Sequence, residues 1–148
     1  MTCESTDFMF PLQADIYYPI VEQGGYGNMK KQWVLDRTIA CALNPAGTKT
    51  KQDITPSVNV VIDNSLFGRT KTNILQSTSG AGVSATNVII TNIRDANGTV
   101  IWDESSGPRA GKPTLYEVAT FTAIAGPFGG VEFYRLVVRR SENQAVDL

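Results

Sequence analysis

The chain has no histidine among its 148 residues. Histidine is the commonest general acid/base and a frequent zinc or iron ligand. Its absence removes Ser-His-Asp and Cys-His catalysis and most zinc and non-haem iron chemistry. Cysteine is nearly absent too, with only Cys3 and Cys41. Two residues so far apart make neither a metal knuckle nor a redox pair by spacing. They read as free thiols of a reducing cytoplasm, with a disulfide as the less favoured alternative. Charge of one sign is lacking: 13 basic and 14 acidic side chains leave a net charge of −1. Such a chain has no strong field for drawing in nucleic acid or an anionic membrane. No apolar run approaches the roughly 18 residues of a membrane-spanning helix. The opening residues MTCESTDFMFPL have no basic start followed by a long apolar stretch, so no signal peptide is expected.

A helical period is also missing. No long window repeats apolar residues at 3.6-residue spacing, and the best candidate for a helical turn, Ser65 to Gln76, is weakened by Gly68. What the chain has instead is alternation. From Trp33 to Leu43, Trp33, Leu35, Arg37, Ile39, Cys41 and Leu43 fall on one face. Trp33 is expected in the core at the start of that face. Arg37 must snorkel, pair, or mark where the strand leaves the core. Further strands are expected at Asp15–Pro19, Val58–Asp63, Asn87–Ile93, Thr99–Trp102, Leu115–Ile124 and Val131–Arg140. Asn97-Gly98 predicts a type I′ hairpin turn, which also accounts for the Asn-Gly-Thr glycosylation match. Gly126-Pro127-Phe128-Gly129-Gly130 separates the last two strands.

The fold class is therefore all-β: a small barrel or sandwich of about seven strands with long loops, in a single domain over 1–148. A chain of this length buries roughly 70% of its unfolded surface and needs no metal or disulfide to fold. Residues 1–12 are expected to be a flexible N-terminus and 141–148 a polar tail. Three loops are long: Asn44–Ser57, Leu66–Ala85 and Asp103–Pro113. Loops of that length in compact domains are usually functional or disordered.

Chemical motifs are sparse. Asp103-Glu104 is the one acidic pair of the main body; without the spaced ligands of a calcium loop it reads as a solvated loop start. Gly80 and Gly82 lack the lysine of a phosphate loop and read as flexibility. No catalytic residue, cofactor or metal is assigned. Two basic groups are candidate interface residues. Lys49, Lys51, Arg69 and Lys71 lie in neighbouring loops, where they serve solubility or face phosphates. Arg135, Arg139 and Arg140 edge the last strand beside Val137; arginine next to apolar surface is typical of protein interfaces. Arg37 joins them as an interfacial or barrel-end charge.

Two stretches resemble a known family. Asp15 to Leu43 carries Tyr17, Gly25, Tyr26, Gly27, Trp33 and Ile39, and Thr86 to Asn143 carries Ile93-Arg94, Leu115-Tyr116-Glu117 and Leu136 to Arg140. In this pattern they resemble the head–tail joining proteins of tailed phages, also called head-closure or stopper proteins. The chain departs from the family at Asp36–Thr38 with Cys41 and in the long insertion between Leu66 and Thr86. The resemblance implies a small barrel that assembles with itself as a ring beneath a portal and its adaptor. The ring would close the head on packaged DNA, touch that DNA non-specifically, and receive the tail. It also implies a virion protein assembled in the host cytoplasm, with no membrane partner. A baseplate, tail-tube or tail-terminator component shares the same features. A carbohydrate- or ligand-binding β-sandwich, stacking sugars on Tyr26, Trp33 or Trp102, is the reading of a different class.

Overall fold

The computed structural model describes residues 10–23, 29–45, 65–146 and 148, without the side chains of 22, 23, 29 and 30. The strand expected at Val58–Asp63, most of the 44–57 loop, and Cys3, Tyr26, Lys49 and Lys51 lie outside the described residues. Within them, six strands form one closed antiparallel barrel: β1 (Leu12–Gln23), β2 (Met29–Pro45), β3 (Ser65–Thr70), β4 (Ile89–Arg94), β5 (Tyr116–Ala125) and β6 (Val131–Arg140). The order around the barrel is β1-β2-β3-β6-β5-β4, and β4 returns to β1.

Alternation builds the interior. Ala14 and Ile16 of β1, Ile39, Cys41 and Leu43 of β2, and Leu136 and Val138 of β6 all point inward and are buried. Closure excludes open sheet edges from the barrel body. It depends on β3, a stretch whose sequence offers only a weakened candidate for a helical turn at the start of a long expected loop. Ser65–Thr70 instead pairs with β2 on one side and β6 on the other. Gly68 is the reason it fits. A Cβ at this position would stand 1.6 Å from the carbonyl oxygen of Ala42, so only glycine lets the β2 backbone come this close.

Bulges change the phase of β2 and β4, and the β5–β6 pair carries two more register shifts. Ile16 pairs with Arg37 but Tyr17 pairs with Leu35, which leaves Asp36 as an extra residue in β2. One extra residue turns every later side chain to the opposite face. Trp33 and Leu35 therefore face outward, and the core role expected for Trp33 is not observed; Leu35 is 50% exposed. In β4, Asn92 adopts φ +54 where the pairing with β1 shifts, so Ile90 and Ile93 both reach the core. Asparagine tolerates this left-handed conformation better than most residues.

Turns differ from expectation in type. Asp95-Ala96-Asn97-Gly98 closes through Gly98 N–H to Asp95 O (3.0 Å), and Gly98 alone takes positive φ, +84. This is a type I turn with a glycine bulge, not type I′. The segment expected as strand at Thr99–Trp102 keeps one bridge, Val100 to Arg94. Phe10 is buried and Leu12 opens β1, so residues 10–12 are not part of the flexible start expected over 1–12, and residues 1–9 lie outside the described residues. The polar tail is folded down by Gln144, which accepts from Leu115 N–H (3.0 Å) and donates to Leu115 O (2.9 Å).

Two outcomes test this packing. Gly68→Ala should destabilise by at least about 3 kcal/mol because backbone, not a flexible side chain, blocks the new methyl. Trp33→Ala should cost about 1 kcal/mol or less, while Leu136→Ala should cost about 2–5 kcal/mol. Urea unfolding of the three variants checks both.

Candidate functional site

Because every neighbour is antiparallel, β1, β3 and β5 run one way and β2, β4 and β6 the other. One end of the barrel thus receives three connections: β1 to β2, β3 to β4, and β5 to β6. The strands are unequal in length. β4 pairs with β1 only as far as Tyr17 and with β5 only as far as Glu117. β1–β2 continues beyond that level as a paired-strand arm on the order of 20 Å long at 3.3 Å per residue, while β5–β6 keeps β3 beside it as far as Tyr134 and stands alone as a shorter arm from Ile124 and Phe133 to its turn.

The first arm carries apolar side chains on both faces. Tyr18, Ile20 and Val34 face the barrel mouth; Val21, Trp33 and Leu35 face outward. Ile20, Val21, Val34 and Leu35 are all exposed. Lys31 Nζ lies 4.7 Å from the Trp33 ring centroid and covers one of its faces. The second arm is stiffened by Phe121 stacked on Tyr134, with centroids 4.9 Å apart. Its tip is Gly126-Pro127-Phe128-Gly129. Gly129 N–H bonds Gly126 O (3.2 Å), Gly126 N–H bonds Gly130 O (2.7 Å), and Gly129 takes φ +90. Proline presets the first turn position and glycine the bulge. Phe128 is held on this tight turn at 98% exposure.

Between the arms the 71–88 segment crosses the mouth. Its sequence reads as a polar loop, yet Ile74 is fully buried and Val88 nearly so. Gly80 sits in a hydrogen-bonded turn, with Gly80 N–H to Ser77 O at 2.9 Å and Ser77 N–H to Ala81 O at 2.9 Å. Arg37 fastens this crossing. Its Nη2 donates to Asn73 O and Gln76 O, both at 2.7 Å, and its Nε lies 3.6 Å from Asp36 Oδ2. Tyr18 donates its hydroxyl proton to Ile74 O at 2.5 Å. Arg37 therefore pairs inside the chain at the level where the strand leaves the core. A groove of about 470 Å³ remains between the first arm and the crossing, lined by Tyr18, Ile20, Val34 and Val83.

The remaining candidates occupy the outer face of β3, β6 and β5. Arg69 is a strand residue directly opposite Arg135. One row away, Phe67 opposes Val137; on the other side lies Phe133, whose ring centroid is 6.0 Å from the Arg69 guanidinium carbon. Both arginines are exposed. Neither has a carboxylate within ion-pair distance among the described residues. Arg139 is different, because Glu117 neutralises it at 3.0 Å. Lys71 is exposed just past β3. Two basic groups that are remote in sequence thus meet on one sheet face, but Arg37 and Arg140 do not join them.

Arg140 is held by Glu104 through both Nε and Nη2, and Thr114 Oγ1 donates to Glu104 Oε2 at 2.7 Å. Glu104 is consequently not the solvated loop start its sequence suggested; its side chain is 10% exposed. The Arg140 hydrogen bonds hold its carboxyl below the ordinary glutamate value. Burial pushes the Cys41 thiol up to about 12, so this free cysteine stays protonated and unreactive. Another groove, of about 600 Å³, contains Asp15, Tyr17, Asn92, Arg109 and Lys112. Among the described residues its one side-chain carboxylate, Asp15, already accepts from Asn92 (2.9 Å), Arg94 (3.2 Å) and Thr38 (2.8 Å). Among the described residues, no three Cys, Asp or Glu side chains lie close enough to share a metal ion.

Compared with known proteins, the chain matches no family model, no curated sequence and no solved structure.

The Glu104–Arg140 pair gives a signed pH effect. Glu104 has its folded pKa depressed, so its contribution is complete above the ordinary value of 4.5 and is lost as pH falls through the folded value. Glu104→Gln should be less stable than the parent at neutral pH. That difference should shrink in acid below the ordinary value, as followed by thermal melts across the pH range.

Proposed function

We propose that this chain is a virion structural subunit of a tailed phage, one protomer of a neck ring that closes the head after DNA packaging and joins it to the tail. The observation that carries this reading is the pair of arms bearing exposed apolar side chains on one end of a closed barrel, above all Phe128 held at 98% exposure on a rigid turn. Exposed apolar surface of this kind marks an interaction site. A ring built from identical subunits needs two unlike patches that meet head to tail. The arm-bearing end and the side wall of the barrel supply unlike patches on a barrel whose own hydrogen bonding is closed. The resemblance to head-closure proteins supports the same conclusion and names the remaining partners as portal, adaptor and tail.

Placement further along the virion, in a tail terminator, tail tube or baseplate, calls on the same contacts. Density for a tagged subunit in intact particles separates the sites: the head vertex for a neck ring, the tail for the others. The carbohydrate reading gains from the outward Trp33, but Lys31 already occupies one face of that ring.

Phe128→Ser separates folding from assembly. It should leave stability unchanged within about 0.5 kcal/mol, since the ring touches little of its own chain. Native mass spectrometry of the parent, alone or with portal and adaptor, should show a closed oligomer that the variant forms poorly. A parent that remains monomeric with both partners present would overturn the proposal.

A further inference from the structure

The Arg69–Arg135 pair is at odds with stability. Like charges directly opposite across two strands destabilise a sheet, and here no acid offsets them among the described residues. The adjacent outer position on β6 shows the alternative, since Arg139 has Glu117 across the strand. From the arm end downward, the outer face reads Phe133, then Arg69 with Arg135, then Phe67 with Val137, then the neutralised Arg139–Glu117 pair. A row of positive charge with no acidic partner among the described residues lies between two apolar rows, and Phe67 is 49% exposed.

We infer that this face docks an acidic, partly apolar segment of another protein, with a carboxylate seated between the Arg69 and Arg135 guanidiniums. Guanidinium forks match carboxylates bidentately, and two forks on neighbouring strands bracket one carboxylate or two adjacent ones. Phe67, Phe133 and Val137 receive apolar side chains on either side of it. Aromatic residues and arginine beside apolar surface are what protein interfaces concentrate. Nucleic acid fits less well. Tight duplex binding draws on about six to ten phosphate contacts, whereas this face offers Arg69, Arg135 and the nearby Lys71 on a chain of net charge −1. Docking of such a segment goes beyond the ring and does not require it.

The test uses the whole chain and three fluorescein-labelled probes: a peptide of alternating glutamate and leucine, the same peptide with glutamine for glutamate, and a DNA duplex. Fluorescence anisotropy should show the glutamate peptide binding at least about tenfold tighter than the other two. Arg69→Glu and Arg135→Glu should each weaken it by about tenfold or more. Arg139→Gln should change it by less than about twofold, since Glu117 already neutralises that charge. Arg135→Glu replaces a like-charge pair with an opposite one, so its melting temperature should equal or exceed the parent's; lost binding is then not unfolding. Equal binding of the glutamine peptide, tighter binding of the duplex, full affinity in the Arg69 and Arg135 variants, or no binding of any probe would each overturn the inference.

Discussion

The carbonyl oxygen of Ala42 occupies the space where residue 68 would carry a side chain. Glycine at that point lets β3 lie against β2, and β3 is what joins β2 to β6 and closes the barrel. The same contact fixes the register. Leu66 and Thr70 point inward and are buried, while Phe67 and Arg69 point outward. A slip of one residue would invert that arrangement. Interior packing and exterior chemistry therefore share one constraint, and the outer face owes its Arg69–Arg135 pair to it.

Strand inequality explains the rest of the shape. β3 and β4 are six residues each, while β2 runs for seventeen. Short strands set the height of the closed barrel, and the longer strands continue past it as arms. The 71–88 crossing then covers the mouth with Ile74 and is fastened by Arg37 and Tyr18. Buried apolar area holds the lower barrel together, whereas cross-strand pairing and one aromatic stack hold the arms. The arms leave apolar side chains in water, which a free monomer gains nothing from. That asymmetry between a satisfied body and unsatisfied extensions supports a subunit that is completed by neighbours.

Much of this was legible in the residues. β6 is regular from Phe133 onward, so Tyr134, Leu136 and Val138 alternate with Arg135, Val137 and Arg139 as strict period two requires, and its limits match the expected Val131–Arg140. The upper half of β2 was misread for a local reason: Asp36 bulges and reverses the faces, and a bulge leaves no mark in the alternation itself. Gly68 was read as a weak point in a helical turn because glycine is a breaker by propensity; its purpose lies in a strand partner, Ala42, distant in sequence. Arg69 and Arg135 each stood out as charges, but only the β3–β6 register makes them neighbours. Arg37 and Arg140 looked equally available, and their partners, the Asn73 and Gln76 carbonyls and Glu104, come from other segments.

The register between β3 and β6 is therefore the most direct point of attack. Inter-strand nuclear Overhauser effects across these two strands measure it in solution. The account predicts contacts that pair Phe67 with Val137 and Arg69 with Arg135, together with contacts from Gly68 to Leu43 on the other side. A one-residue offset, or sequential helical contacts through Ser65 to Gln76, would contradict it, because the barrel would then be open and the two arginines apart.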